Sequence, residues 1–342
     1  MTGDEPVVAL ERELGPDAVL RHAPLEVDDL GVGATVQPAD GEALSRAVLA
    51  LGRLGLAGIA RGAGRHLALG NPPERADVFL ATDRLSGVDA FEPSEGVCHA
   101  GSGVRLGDLR ARIGAEGWEV PLDAPDDASL GGALAASVLG PRSHGYGAPR
   151  DAVLGLEVVL GTGERTRCGG RVVKNVTGYD LAKLYVGSLG TLAVIEGAWL
   201  RLRPRSEIEK ILAAPARDLD HGFALAQRAS RCATARAAAL RGGVEHGYEC
   251  VVELAGDALG AEHEAAALGL DEAPPECLTR VASVQSAERV GDLVVRLAAL
   301  PSGLAAVRRP GGSLAPALRA STASERISEK TTCRAEAAGS PG

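Results

Sequence analysis

Along the first two hundred residues the apolar positions change period several times, and each change predicts an element. After Asp40, Leu44, Val48 and Leu51 recur at helical spacing, with Asp40 suited to cap the helix they define. A short apolar strand, Leu56 to Ala60, then runs into the glycine loop Arg61-Gly62-Ala63-Gly64. Val78 to Thr82 and Val97 to Gly103 read as further strands, and Leu106, Leu109 and Ile113 mark a second helix. Ser129 caps a small-residue helix, LGGALAASV. Leu154 to Leu160 is a strong strand, Gly161-Thr162-Gly163 a turn, and Glu164 to Cys168 an antiparallel return. A helix covers Tyr179 to Tyr185 and ends at Gly187. In the strand from Leu192 to Arg203, Leu200 and Leu202 alternate with Arg201 and Arg203, giving one buried and one wet face. Residues 1–30 carry only weak signals.

The pattern shifts after Pro204. Short strands (Lys210 to Ala213, Cys250 to Leu254) alternate with alanine-rich helices around 221–231, 257–268 and 286–299. This predicts a small α+β domain of antiparallel strands with helices on one face. Beyond Pro301 apolar residues are too sparse to form a core, so 301–342 reads as a disordered tail. The expected organisation is an N-terminal extension over 1–30, a first domain over 31–205 divided near residue 90, and a second over 206–300.

Composition narrows the partners. The chain has 342 residues and a net charge of −9, with basic residues dispersed, which argues against a nucleic-acid partner. No apolar run of membrane-spanning length appears, and the first residues lack a secretory pattern, so a cytoplasmic protein without direct membrane insertion is expected, its membrane contact limited to what a partner provides. Cys98, Cys168, Cys232, Cys250, Cys277 and Cys333 form no C-x-x-C pair, so neither an iron–sulfur cluster nor a structural metal is expected.

Three segments carry candidate chemistry. In RGAGRHLALGN, Arg61 to Asn71, glycines after a strand allow successive amides to form a nest for a pyrophosphate, although the same residues also suit an ordinary turn. The Rossmann fingerprint fails, because Leu67 stands where a third glycine belongs and no helix pattern follows. In Asp123 to Gly147, a helix opening on Gly131-Gly132 offers free N–H groups to an anion or a ring edge, or is simply a tightly packed helix. In Gly169 to Ser206, Lys174, Asn175, Thr177 and Asp180 interrupt a glycine-punctuated apolar context that suits a planar ligand, with Lys174 equally readable as a surface charge.

In this order the three segments, GGRVVKNVTGYDLAKLYVGSLGTLAVI above all, resemble the vanillyl-alcohol-oxidase-type (PCMH-type) FAD-binding family, and within it the FAD-binding subunits of glycolate oxidases. The matching text runs from about Val36 to Pro204. The resemblance implies an α+β fold: a two-subdomain PCMH-type FAD-binding domain followed by a small α+β cap domain. It assigns cofactor contacts to Arg61, Gly62, Ala63, Gly64, Arg65 and His66, to Ser129, Leu130, Gly131, Gly132, Ala135, Ser137 and Gly140, and to Gly190, Thr191 and Ile195; Lys174 joins them as a cofactor candidate from the residue reading alone. Covalent relatives place a flavin-linking histidine directly after the glycines, where this chain has Arg65, so the expected FAD is non-covalent.

Relatives that oxidise 2-hydroxy acids carry an H-x-G-D-G-N-x-H-type motif that neither His221-Gly222-Phe223 nor His246-Gly247-Tyr248 matches. Leu189 stands where such relatives often have Glu, and the family's usual closing segment is missing. The resemblance therefore implies an accessory subunit that holds FAD for electron transfer, working with a homologous larger flavin subunit and an iron–sulfur subunit on a small hydroxy acid. A stand-alone FAD oxidase or dehydrogenase and an assembly subunit with a decayed flavin site are the alternatives. No residue qualifies by itself as a general base; His144 and Tyr146 are the better candidates.

Overall fold

The computed structural model describes residues 5–171, 180–243 and 247–282. The chain builds three main sheets in sequence order, each with its own hydrophobic core. The first unit comprises α1 (Glu5–Leu14), β1 (Val19–Val27), β2 (Leu30–Val36), α2 (Gly41–Leu54), β3 (Gly58–Arg61) and β4 (Val78–Ala81). Its sheet has the order β1-β2-β4-β3, antiparallel at β1/β2 and parallel elsewhere. Asp40 caps α2 by accepting from the amide of Ala43 at 2.7 Å, and Gly55 ends the helix in the left-handed region. Leu44 and Leu51 are buried as their spacing predicts. The segment read as an extension is instead built into this unit. Leu10 of α1 is fully buried in the first core, and β1 zips onto β2.

The second unit adds β5 (Ala90–Glu92), β6 (Val97–Gly101), α3 (Leu106–Gly114), β7 (Trp118–Glu119), α4 (Leu130–Ala135), the single turns α5 (Ser143–Tyr146) and α6 (Pro149–Ala152), β8 (Val153–Leu160), β9 (Arg165–Gly169), α7 (Ala182–Tyr185), β10 (Ala193–Arg201) and β11 (Arg203–Pro204). Its five-stranded sheet, β5-β6-β10-β8-β9, is antiparallel throughout, and β11 pairs with β7. Leu200 and Leu202 are buried while Arg201 and Arg203 are exposed, so the predicted alternation holds.

The third unit holds β12 (Ile208–Ala216), α8 (Leu219–Ala229), β13 (Ala235–Gly243), β14 (Gly247–Gly256), α9 (Ala258–Leu268), β15 (Asp271–Glu272) and α10 (Glu276–Ala282). Its sheet runs β13-β14-β12-β15, all antiparallel. Cys250, Val252 and Leu254 face the core shared with α8 and α9, while Val251 packs with Cys277 and Leu278 of α10 on the other face. Helices therefore cover parts of both faces, not one. The molecule is α+β as expected, with β13 absent from the sequence reading. The helix expected around 286–299 and the tail lie outside the described residues.

Candidate functional site

A cleft of about 410 Å3 opens between the first two units. That size lies within the range of small-molecule and cofactor sites, roughly 300–1,000 Å3. One wall is the loop that leaves β3. Gly64 sits at φ +78°, a conformation that favours glycine, and a Cβ on Gly62 would overlap Ser129 Oγ. Ser129 fastens this loop to the opposite wall: its Oγ accepts from the amide of Ala63 at 3.2 Å and from that of Gly132 at 3.3 Å. The amides of Gly62, Gly64 and Arg65 donate to no group among the described residues. Unpaired amides on a concave loop form an anion nest.

The charges in the cleft are also incompletely paired. Arg61 has no acidic partner among the described residues; its guanidinium lies over the Phe79 ring, 5.2 Å from the centroid. Arg65 bridges to Asp127 through Nη1, yet its buried Nε has no hydrogen-bond partner. Burial, helped by the charge of Arg65, holds His66 below the usual imidazole range, so it is neutral at pH 7. These three are the ionisable side chains lining the cleft. Free amides, an unpaired guanidinium and an orphaned Nε together fit a doubly charged diphosphate, whereas no carboxylate lines the cleft to repel one.

The structure brings together Arg61, Gly62, Ala63, Gly64, Arg65, His66, Ser129, Gly132, Ala135, Gly190 and Thr191 along this cleft. It places five other candidates elsewhere. Leu130 is fully buried in the second core, and Ile195 is buried there on β10 beside Val158. Gly131 is a packing glycine, since a Cβ would stand 2.6 Å from Ser102 Cβ. Gly140 lies against Asp123, and Ser137, at φ +48°, lies behind the cleft next to Gly187. Lys174 lies outside the described residues.

The helix capped by Ser129 does not have the open N-terminus expected of it. Its amides are not free: Leu130 donates to Val104, Gly131 to Ser102, and Gly132 to Ser129 Oγ. The helix is only six residues long, and it contributes a packed wall instead of an anion site. The proposed bases also fall outside the cleft. His144 is exposed, and burial pushes the Tyr146 hydroxyl up to about 12. Sequence reasoning missed the cleft-lining Val27, Ile59, Pro73, Ala133, Ala136 and Leu189. Leu189 sits in the left-handed region, at φ +56°, on the rim of the cleft, a strained conformation for a leucine that no local pattern announces.

Residues 32–169 match a family model described as an FAD binding domain. The chain is 34% identical over 150 residues to the glycolate oxidase subunit GlcE of Escherichia coli, an overlap covering 43% of this chain and 42% of that protein. It is 33% identical over 181 residues to D-lactate dehydrogenase of Archaeoglobus fulgidus, covering 53% and 41%. The chain thus spans about two-fifths of the length of these curated relatives. Among solved structures, alkyldihydroxyacetonephosphate synthase shares the fold, with a TM-score of 0.66 at 16% identity over 82% of this chain and 63% of that one. No helix among the described residues is long and apolar enough to cross a membrane.

Proposed function

We propose that this chain, whose residues 32–169 match an FAD binding domain, holds one FAD non-covalently as the accessory subunit of a glycolate-oxidase-like, 2-hydroxy-acid-oxidising complex. The observation that carries this reading is the cleft itself: a glycine nest too tight for side chains, facing guanidinium donors that lack partners. In this reading the amides of Gly62, Gly64 and Arg65 with the Arg61 and Arg65 side chains hold the diphosphate, while Ala133, Ala135, Ala136 and Gly190 give a smooth apolar wall for a ring. FAD supplies acceptance of a hydride equivalent and release of single electrons; the protein supplies orientation and charge. Arg65 fills the place where covalent relatives put a linking histidine, and the neutral His66 follows it.

The accessory role rests on two features. No side chain in the cleft other than His66 can take up a proton near neutral pH, so the cleft suits holding a cofactor better than removing a substrate proton. The relative from Escherichia coli is itself a subunit. A homologous larger flavin subunit and an iron–sulfur subunit would then complete the electron path. The likeness to a D-lactate dehydrogenase favours the second reading, a stand-alone dehydrogenase of a small hydroxy acid.

The purified chain decides between them. It should bind FAD with a flavin absorption band, release it on acid denaturation, and leave it oxidised under glycolate or D-lactate until the partner subunits are added. Flavin reduced by the chain alone establishes the second reading. A protein that takes up no FAD is an assembly subunit, and flavin retained after acid overturns the non-covalent attachment.

A further inference from the structure

The third sheet touches the second unit through a buried cluster that lies outside the cofactor cleft. Glu253 on β14 has a side chain only 1% exposed, in an otherwise apolar run. Its two oxygens accept from Arg142 (Nε 2.8 Å, Nη2 2.9 Å) and from Arg236 of β13 (Nε 2.9 Å, Nη2 2.8 Å). Arg236, also buried, reaches Glu119 of β7 at 3.1 Å and Glu209 of β12 at 2.9 Å. Tyr146 lies under the guanidinium groups of Arg236 and Arg203. Two planar forks on one carboxylate make a clasp that fixes direction as well as distance.

The clasp holds a segment with little slack. The Arg142 amide donates to Asp123 at 2.6 Å, and Gly140 is pressed against the same aspartate. A Cβ on Gly145 would meet Arg236 Cα at 2.8 Å, so α5 lies directly on β13. On its other side the segment continues α4. Val138 and Ser137 donate back to Ala133 and Leu134, and Leu189 and Gly187 donate to Ala135 and Leu134. Ala133, Ala135, Ala136 and Leu189 all line the cleft. From Glu253 to the cleft wall the connection is continuous: Arg142, then residues 138–141, then the end of α4.

We infer that Glu253 is a positioning residue for the cofactor cleft: through Arg142 it fixes the segment after α4, so that docking of the third sheet and the shape of the cleft wall form one equilibrium. This rests on the cleft being the FAD site. By linkage, FAD must then stabilise the docked third sheet as much as the docked sheet tightens FAD. A merely structural ion pair predicts no such reciprocity.

The test is FAD titration of the full-length chain, wild type and variants, with amide exchange measured in β13 and β14. Glu253→Ala should weaken FAD at least tenfold, Glu253→Gln about threefold, and Glu272→Gln, at the exposed edge of the same sheet, not at all. In the wild type FAD should slow exchange in β13 and β14, and in Glu253→Ala it should not. FAD affinity of the Glu253 variants within twofold of wild type, with exchange in the third sheet raised, overturns the inference. If Glu253→Ala does not fold, Glu253→Gln and Arg142→Lys carry the comparison. The FAD-free protein separates the two ideas. A wild type that binds no FAD sinks the assigned function, while exchange at Val138, Arg142 and Tyr146 unchanged by Glu253→Gln sinks the clasp.

Discussion

In the clasp between the second and third sheets, two guanidinium groups close on one carboxylate with four hydrogen bonds; in the cleft, Arg61 lies over the ring of Phe79 with no acidic partner among the described residues. Both regions put arginines where solvent is limited. In the clasp the desolvation is offset within the chain, and the opposite charges shift each other accordingly: Glu253 is buried, which raises its carboxyl, yet the arginines hold it below the usual range. In the cleft the compensation is left incomplete: the buried Nε of Arg65 has no hydrogen-bond partner, and an unmatched buried donor is a standing cost that an anion removes on binding. Charges that hold a fold and charges that await a ligand are thus told apart by whether their partners are already present.

Substitutions sharpen that contrast. The largest effect is expected at Glu253→Ala, which takes the shared carboxylate from Arg142 and leaves Arg236 with Glu119 and Glu209: a loss of about 3 kcal/mol in urea unfolding of the FAD-free chain. A loss under about 0.5 kcal/mol would show that the clasp charges are solvated and the contrast is false. Arg61→Ala should do the reverse. FAD-free stability stays within about 0.5 kcal/mol, while FAD binds roughly 10–100-fold more weakly, about 1.4–2.8 kcal/mol. Equal FAD affinity in Arg61→Ala would mean that the unmatched charge serves no ligand. Ser129→Ala lies between the two, since Ser129 Oγ both caps α4 and ties down the glycine loop. It should cost about 1–2 kcal/mol of FAD-free stability, and raise amide exchange at Ala63 and Gly132.

The same contrast explains what was legible in the sequence. Local rules sufficed where one segment determines its own structure: Asp40 with Leu44 and Leu51, the glycine loop after β3, and the leucine–arginine alternation of β10. They failed where a distant segment decides. The amides of Leu130 and Gly131 look free in sequence and are taken by Val104 and Ser102. Strand β13, ARAAALRGG, has helical composition, and only pairing with β14 makes it a strand. Residues 5–27 look featureless because α1 and β1 acquire their meaning from α2 and β2. The clasp was invisible because Arg142 and Glu253 are 111 positions apart, although a lone glutamate inside Cys250–Leu254 was a readable sign of a buried pair.

The smallest expected effect is on acidity, and it is read at the cleft. Burial first, then Arg65, lowers the pKa of His66 in the folded chain below its unfolded value of 6.5. On lowering the pH through 6.5 the unfolded chain takes up a proton that the folded chain refuses, so the contribution of His66 to stability is complete above this range and lost below it. An anion in the cleft reverses the preference, because a diphosphate near His66 favours the imidazolium. Binding of FAD should then be accompanied by proton uptake, and the rise in melting temperature produced by FAD should grow between pH 7 and pH 5.5. His66→Gln should make that rise independent of pH while leaving the clasp untouched. If the FAD-induced rise in wild type shrinks on acidification instead, the diphosphate does not lie beside His66, and the unmatched charges of the cleft must be read against some other part of the ligand.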